Sequence, residues 1–236
     1  MKNILVTGCS RGIGFEIVKS FAKIHKANVL AIARNIDGLR KLEKECYEIN
    51  SEFKLHLLEL DLADKKSTDA VFSYIKEKMN NSLDGIIHNA GFLVKKSFKD
   101  ITYDELEKSF KINLFSPFIL TQKLMPIFNK ETHVLSISSM GGVQGSQKFP
   151  GLSAYSTSKS TLITLTECLA EEFKKTGFTF NCLALGAVQT EMLSEAFPGY
   201  EAPLSASEMG DFIANFFHDG PRYFNGKLIP ISLTTP

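Results

Sequence analysis

The chain of 236 residues has almost no excess of either charge, with 27 Lys and Arg against 26 Asp and Glu. So balanced a surface lacks the basic footprint of a nucleic-acid binder and the cationic face that seeks anionic lipid, and it directs attention to small-molecule partners. Cysteine is scarce: Cys9, Cys46, Cys168 and Cys182 are scattered without CxxC or His-rich spacing. That argues against a zinc site and against a disulfide framework, so no metal is expected and a reducing compartment fits. No apolar run approaches the ~18 residues of a membrane span. The first apolar segment, NILVTG, starts at Asn3 and leaves no room for a signal peptide. The expectation is a soluble cytoplasmic protein with no membrane and no nucleic acid among its partners. No repeat, low-complexity tract or shift in composition marks a linker, so 1–236 is expected to fold as a single domain.

What the sequence does have is alternation. Short apolar runs rich in β-branched residues are predicted as strands at Ile4–Thr7, Asn28–Ala33, Lys54–Glu59, Gly85–His88, His133–Ser138, Phe178–Leu185 and Lys227–Ile231. Amphipathic segments between them are predicted as helices at Gly12–Ile24, Ile36–Ile49, Lys66–Met79, Tyr103–Phe128, Ser153–Thr176 and Ser207–Phe217. Thr102, with Glu105 three residues on, supplies a capping box for the fourth helix. Strand and helix in turn imply an α/β fold, a doubly wound parallel sheet of about seven strands with helices on both faces. Ligands of such sheets bind beyond the carboxyl ends of the strands.

The first strand runs into TGCSRGIG, which places Gly8, Ser10, Arg11, Gly12, Ile13 and Gly14 in a strand-to-helix turn. Glycines there allow a tight turn and close approach of backbone to a pyrophosphate, while the helix behind offers free N–H groups and its positive dipole end. Twenty residues past Gly14, at the end of the second strand, stands Arg34 in AIARN. An NAD site usually has an acid at this place for the ribose hydroxyls, whereas a guanidinium clamps a 2′-phosphate. Arg11 is within reach of the same phosphate, and the two arginines favour NADP(H) over NAD(H).

From Tyr155 the sequence reads YSTSK, so Tyr155 and Lys159 share one face of a predicted helix, one turn apart. An ammonium at about 4 Å, with an effective dielectric near 20, favours the phenolate by roughly 4 kcal/mol, or about three pKa units from a starting value near 10. Such a phenol would exchange protons near neutral pH.

Taken together the motifs resemble the classical short-chain dehydrogenases/reductases over nearly the whole chain and in the right order. TGCSRGIG is similar to that family's TGxxxGIG loop, HNAG to its NNAG segment, and YSTSK is its YxxxK. The resemblance implies a Rossmann fold in which Tyr155 protonates a carbonyl oxygen as hydride arrives from the nicotinamide, or acts as the base in reverse. It implies that Lys159 lowers the tyrosine pKa and holds the ribose, that Ser139 donates to the substrate oxygen, and that Asn113 anchors a water on a proton path. For the cofactor it implies that Asp61 and Leu62 flank the adenine, that Asn89, Ala90 and Gly91 line the site, and that Val188 and Thr190 contact the carboxamide and phosphate side. Ser138 is the alternative to Ser139, a helix cap or kink is the alternative role of Asn113, and His88 on an apolar strand reads as structural. The activity implied is an NADPH-dependent carbonyl reductase, with a 3-oxoacyl thioester, sugar, steroid or small ketone as substrate. An NAD-linked alcohol dehydrogenase and a non-catalytic NADP(H)-binding sensor or scaffold are the alternatives. A homodimer or homotetramer follows from the resemblance, with surplus apolar residues such as Phe110, Phe115, Phe118, Leu162, Leu165 and Leu169 available for the contact.

Four departures from the family pattern stand out. His88 replaces the first Asn of NNAG. Leu185 stands in LALGAVQT where the family usually has proline, so a more mobile or differently bent turn is expected. The interval from Ser139 to Tyr155 is longer than usual. The segment from Glu191 to Ser205 is short for a substrate lid, which predicts an open site.

Overall fold

Ile4, Leu5, Val6 and Thr7 are all buried in the first strand, β1 (Lys2–Thr7), as a central strand covered on both faces requires. The computed structural model describes residues 1–24 and 27–233. After β1 come α1 (Gly12–Ile24), β2 (Ala27–Ala33), α2 (Ile36–Ile49), β3 (Lys54–Glu59), α3 (Ser67–Lys78) and β4 (Leu83–His88). They are followed by α4 (Tyr103–Phe110), α5 (Ser116–Leu124), β5 (Phe128–Ser139), α6 (Ser153–Glu172) and β6 (Thr179–Leu185). The chain finishes through β7 (Val188–Gln189), α7 (Glu191–Ala196), β8 (Leu204–Ser205), α8 (Ala206–Asp219) and β9 (Lys227–Ile231).

Seven strands pair in parallel in the order β3-β2-β1-β4-β5-β6-β9. The chain works outward from β1 to β3 and then crosses back to β4, so a crevice opens between the ends of β1 and β4. One face of the sheet packs on α1, α2 and α8 through Ile17, Phe21, Leu39, Leu42, Ile213 and Phe217. The other packs on α3, α5 and α6 through Val71, Ile75, Leu120, Leu124 and Ala170. This is the doubly wound arrangement that the alternation predicts.

The single helix expected over Tyr103–Phe128 is broken. It consists of α4, a π turn over Lys111–Phe115, α5 and a 3-10 turn over Met125–Ile127, and β5 already begins at Phe128. Two prolines account for part of this, since Pro117 and Pro126 bring no N–H to the helical ladder. The capping box forms as expected: Glu105 N–H donates to Thr102 Oγ1 at 3.3 Å, and Thr102 N–H donates to the Glu105 carboxylate at 2.9 Å. The helix α6 stops at Glu172, short of the expected Thr176. The two-residue strands β7 and β8, which pair with each other, are too short to leave a periodic signal in sequence.

The turn expected to loosen at Leu185 does not. Leu185 is buried, pairs with Ile231 of β9, and is followed by a Gly186 N–H that donates to the Ile231 carbonyl at 2.8 Å. Without proline the strand continues in register to its end. Among the described residues no helix is long and apolar enough to cross a membrane.

Candidate active site

Over the carboxyl ends of the strands lies a cavity of about 840 Å³. At one end its wall is the turn after β1, where Gly8 (φ +77°) and Gly12 (φ +60°) occupy the left-handed region that only glycine enters without strain. A Cβ on Gly14 would stand 2.3 Å from the Gly8 carbonyl oxygen and 2.4 Å from Asn89 Nδ2, so the turn folds back on itself as tightly as atoms allow. Asn89 holds it there, Nδ2 donating to the carbonyls of Thr7 at 3.0 Å and Gly8 at 3.2 Å. Thr7 Oγ1 accepts in turn from the N–H groups of Asn89 at 3.1 Å and Ala90 at 3.0 Å. The ends of β1 and β4 are thereby stitched together below the crevice. Ser10, Arg11 and Ile13 join Gly8 and Gly12 on the wall, with Ala90 and Gly91 beside them and the start of α1 behind.

The end of β2 delivers Arg34, and the residues after β3 deliver Asp61 and Leu62, all on the cavity wall. Arg34 is exposed and, among the described residues, makes no ion pair. Asp61 Oδ1 accepts from the Ala63 N–H at 2.9 Å in a local turn. Arg11 also stands on the cavity wall, where its Nη1 meets Glu195 Oε1 of α7 at 3.0 Å, with both side chains largely exposed. A glycine cradle at a helix N-terminus with an unpaired arginine nearby fits a dinucleotide carrying phosphate on its ribose.

At the far end stand the two residues of YSTSK. Because α6 begins at Ser153, Tyr155 lies in its first turn and Lys159 one turn further in. The Tyr155 hydroxyl and the Ser139 hydroxyl at the end of β5 both line the cavity, and Ser139 Oγ accepts from the Gly141 N–H at 3.2 Å. Lys159 is 3 % exposed, and its Nζ donates to the Ile137 carbonyl at 2.8 Å. Burial brings the Lys159 pKa down to about 8, a fall partly offset by Cys182 nearby. Burial also raises the Tyr155 pKa above its ordinary value, offset in part by the nearby Ser139 hydroxyl. The expected depression of the phenol by the lysine is therefore absent. Sharing a helix face is not enough, since this amine is turned to a backbone carbonyl and desolvation outweighs distant charge.

The neighbouring serines divide cleanly. Ser138 Oγ donates to the Lys159 carbonyl at 2.8 Å and is buried against α6, whereas Ser139 faces Tyr155. Asn113 lies in the π turn, fully buried behind the cavity. Its Oδ1 accepts from the Phe92 N–H at 2.8 Å, and its Nδ2 donates to the Phe92 carbonyl at 2.9 Å and to Ser158 Oγ at 2.8 Å. Its backbone carbonyl lacks the usual helical donor, because residue 117 is proline. A Cβ on Gly91 would lie 3.3 Å from Lys159 Nζ and 3.6 Å from Asn113 Oδ1, so the three meet at one point under the cavity floor. His88 bonds Thr121 at 2.8 Å, and burial drives its pKa to about 3, which makes it a neutral structural residue.

Val188 and Thr190 stand on the cavity wall, and Thr190 Oγ1 caps α7 by accepting from the Leu193 N–H at 3.2 Å. The lid segment is held at its start by aromatic and lysine contacts. Phe197, just past α7, meets Phe149 edge to face with ring centroids 6.0 Å apart. Lys95 Nζ donates to the Ala196 carbonyl at 2.8 Å and sits 4.0 Å from the centre of the Phe197 ring. Sequence reasoning does not find Lys95 or Phe149 as partners of Phe197, because three distant segments carry no local signal of meeting. Among the described residues no group of His, Cys, Asp and Glu could hold a metal ion.

Comparison with known proteins agrees with this geometry. A family model described as short chain dehydrogenase matches residues 2–201. An uncharacterized oxidoreductase of Schizosaccharomyces pombe is 31% identical, the match covering 83% of this chain and 74% of that protein. A benzil reductase, (S)-benzoin forming, of Saccharomyces cerevisiae is 29% identical over 81% of this chain and 73% of its own. The structure also superposes on a short chain dehydrogenase from Burkholderia cenocepacia in complex with NADP. The TM-score is 0.87 with 23% identity, covering 98% of this chain and 96% of that one.

Proposed function

The chain belongs to the short-chain dehydrogenase/reductase family of NAD(P)-dependent oxidoreductases, and from that premise we propose that it is an NADPH-dependent carbonyl reductase with Tyr155 as proton donor. The observation that carries the reading is that the Tyr155 and Ser139 hydroxyls share the cavity wall, with Lys159 one helical turn from Tyr155 on α6. When bound, the nicotinamide supplies the hydride. Overall, ketone, NADPH and a proton become secondary alcohol and NADP⁺. Tyr155 gives its proton to the carbonyl oxygen, and Ser139 donates a hydrogen bond to that oxygen as charge builds on it. Lys159 and the Asn113 carbonyl lie on the path by which the phenolate is reprotonated from solvent. Gly8, Ser10, Gly12, Ile13 and Gly14 hold the pyrophosphate against the start of α1. Arg34 takes the 2′-phosphate, Asp61 and Leu62 flank the adenine, and Asn89, Ala90, Gly91, Val188 and Thr190 bound the rest of the cofactor.

Arg34 in place of an acid supports NADP over NAD, and a relative named as a reductase supports the reducing direction. The exposed apolar residues Leu106, Phe115, Phe118 and Ile119 on α4, the π turn and α5 support a homodimer or homotetramer built on that face. Four free cysteines support a reducing, cytoplasmic setting. The test is NADPH consumption by the wild type and by Tyr155→Phe across 3-oxoacyl thioesters, sugars, steroids and simple ketones. The variant is expected to bind NADPH and to lose about 10²-fold or more of the rate. Equal rates in the two proteins would refute the assignment.

A further inference from the structure

The geometry points to an uncharged ketone bearing an aromatic ring as the substrate, an inference that rests on the carbonyl-reductase reading and narrows it. The carbonyl belongs at the Tyr155 and Ser139 hydroxyls, so the substrate occupies the cavity on that side. Beyond the two hydroxyls the wall there is mostly apolar, built from Leu93, Met140, Phe149, Leu152, Met192 and Phe197. Their placement follows from the backbone. Met140 succeeds Ser139, the Leu152 N–H donates to the Phe149 carbonyl at 3.2 Å just ahead of α6, and Phe149 touches Phe197 of the lid.

The charged side chains on the wall all lie elsewhere. Arg11 and Glu191 stand at the phosphate turn, Arg34 and Asp61 at the ends of β2 and β3, and Lys159 beneath Gly91. Of the cations near the substrate side, Lys95 is occupied by the Ala196 carbonyl and the face of Phe197, and Lys148, exposed in the loop before Phe149, by the Val143 carbonyl and the Ser146 hydroxyl. Among the described residues, a carboxylate, phosphate or thioester-linked nucleotide would find there only cations already engaged by other groups. A ketose would bring several hydroxyls to a surface whose further polar groups are the Gln147 amide and the Tyr200 phenol, and each unpaired hydroxyl costs about tenfold in affinity. An aryl ring fits instead. Phe149 and Phe197 are fixed at 77° to each other, so a third ring can lie on one and meet the edge of the other.

The experiment measures kcat/KM at saturating NADPH for acetophenone, 2-butanone, acetoacetate and fructose, with NADPH affinity followed separately by fluorescence titration. Acetophenone is expected to lead acetoacetate and fructose by about 100-fold or more. Phe149→Ala should lower kcat/KM for acetophenone by roughly tenfold, through KM, and lower that for 2-butanone less. Phe149→Leu, a gentler change, should fall in between, and NADPH affinity should hold in both variants. Acetoacetate or fructose matching acetophenone, or equal losses for both ketones, would overturn the inference and leave the carbonyl-reductase reading standing. NADPH binding without turnover of any carbonyl would overturn both.

Discussion

Replacing Arg34 by glutamate is expected to reverse the cofactor preference, and the size of the effect can be worked out. Two unit charges about 4 Å apart interact by roughly 1 kcal/mol in bulk water and roughly 4 kcal/mol at an effective dielectric near 20. Arg34 is exposed, so the lower figure governs. A phosphate monoester carries about 1.5 to 2 charges at neutral pH, and the guanidinium then contributes roughly 2 kcal/mol. A carboxylate in its place removes that and adds repulsion of similar size, roughly 4 kcal/mol in all. Screening at about 0.15 M salt trims this further, which leaves a weakening of NADPH binding of about 10²-fold or more. NADH, without the phosphate, should bind as before or somewhat more tightly through a ribose hydroxyl. Fluorescence titration of both nucleotides into wild type, Arg34→Glu, Arg34→Ala and Arg11→Ala reads the ratio directly. Arg34→Ala should show about half the effect on a logarithmic scale. Arg11→Ala should show less than about tenfold, because Arg11 is already paired with Glu195. If the NADPH to NADH ratio in Arg34→Glu moves by less than about threefold, Arg34 does not read the phosphate.

Three further outcomes are expected. The folded pKa of Lys159, near 8 against an ordinary 10.5, means that between those values the unfolded chain holds a proton that the folded chain has released. Stability should rise with pH across that window by roughly 3 kcal/mol from this group alone. Urea unfolding of wild type and Lys159→Met at pH 7 and pH 10 tests this, and parallel changes in the two proteins would contradict it. Gly14→Ala forces a methyl against the Gly8 carbonyl and Asn89, and should cost about 1–3 kcal/mol of stability together with most of the NADPH affinity. A thermal scan showing an unchanged midpoint would count against so tight a turn. Because burial keeps Tyr155 protonated well above neutrality, reduction should be level through neutral pH while alcohol oxidation climbs about tenfold per pH unit. Parallel pH profiles for the two directions would show that another group limits the rate.

What could be read in the sequence was whatever short spacing encodes. The glycine turn, the strand-helix alternation, the Thr102 capping box and the YSTSK pair each depend on residues within a turn or two of one another, and each stands where its spacing puts it. The break after Phe110 was legible only in part. Pro117 and Pro126 stand in the sequence as breakers, but the contact that holds the π turn, the Asn113 amide clasping both backbone groups of Phe92, joins residues 21 apart. The same holds for the lid. Its length says nothing of its contacts, since Phe149, Phe197 and Lys95 come from three loops that only the folded sheet brings together.

The most instructive mismatch concerns the phenol and the amine. Spacing alone put Lys159 beside Tyr155 and predicted an acidic phenol, because charge attraction is the one force that spacing reveals. Burial acts on both groups and cannot be read from two residues of a helix. It drives the lysine down to about 8 and the tyrosine up. For reduction that is a useful division. A proton donor should keep its proton until charge develops on the substrate oxygen, and a raised pKa does so. On the proposed reading, the lysine, close to Gly91 alongside Asn113, is the group that would return a proton to the phenol after each turnover. Desolvation, which the spacing of YSTSK does not show, moves the two groups in opposite directions and so favours the phenol as donor over the phenol as base.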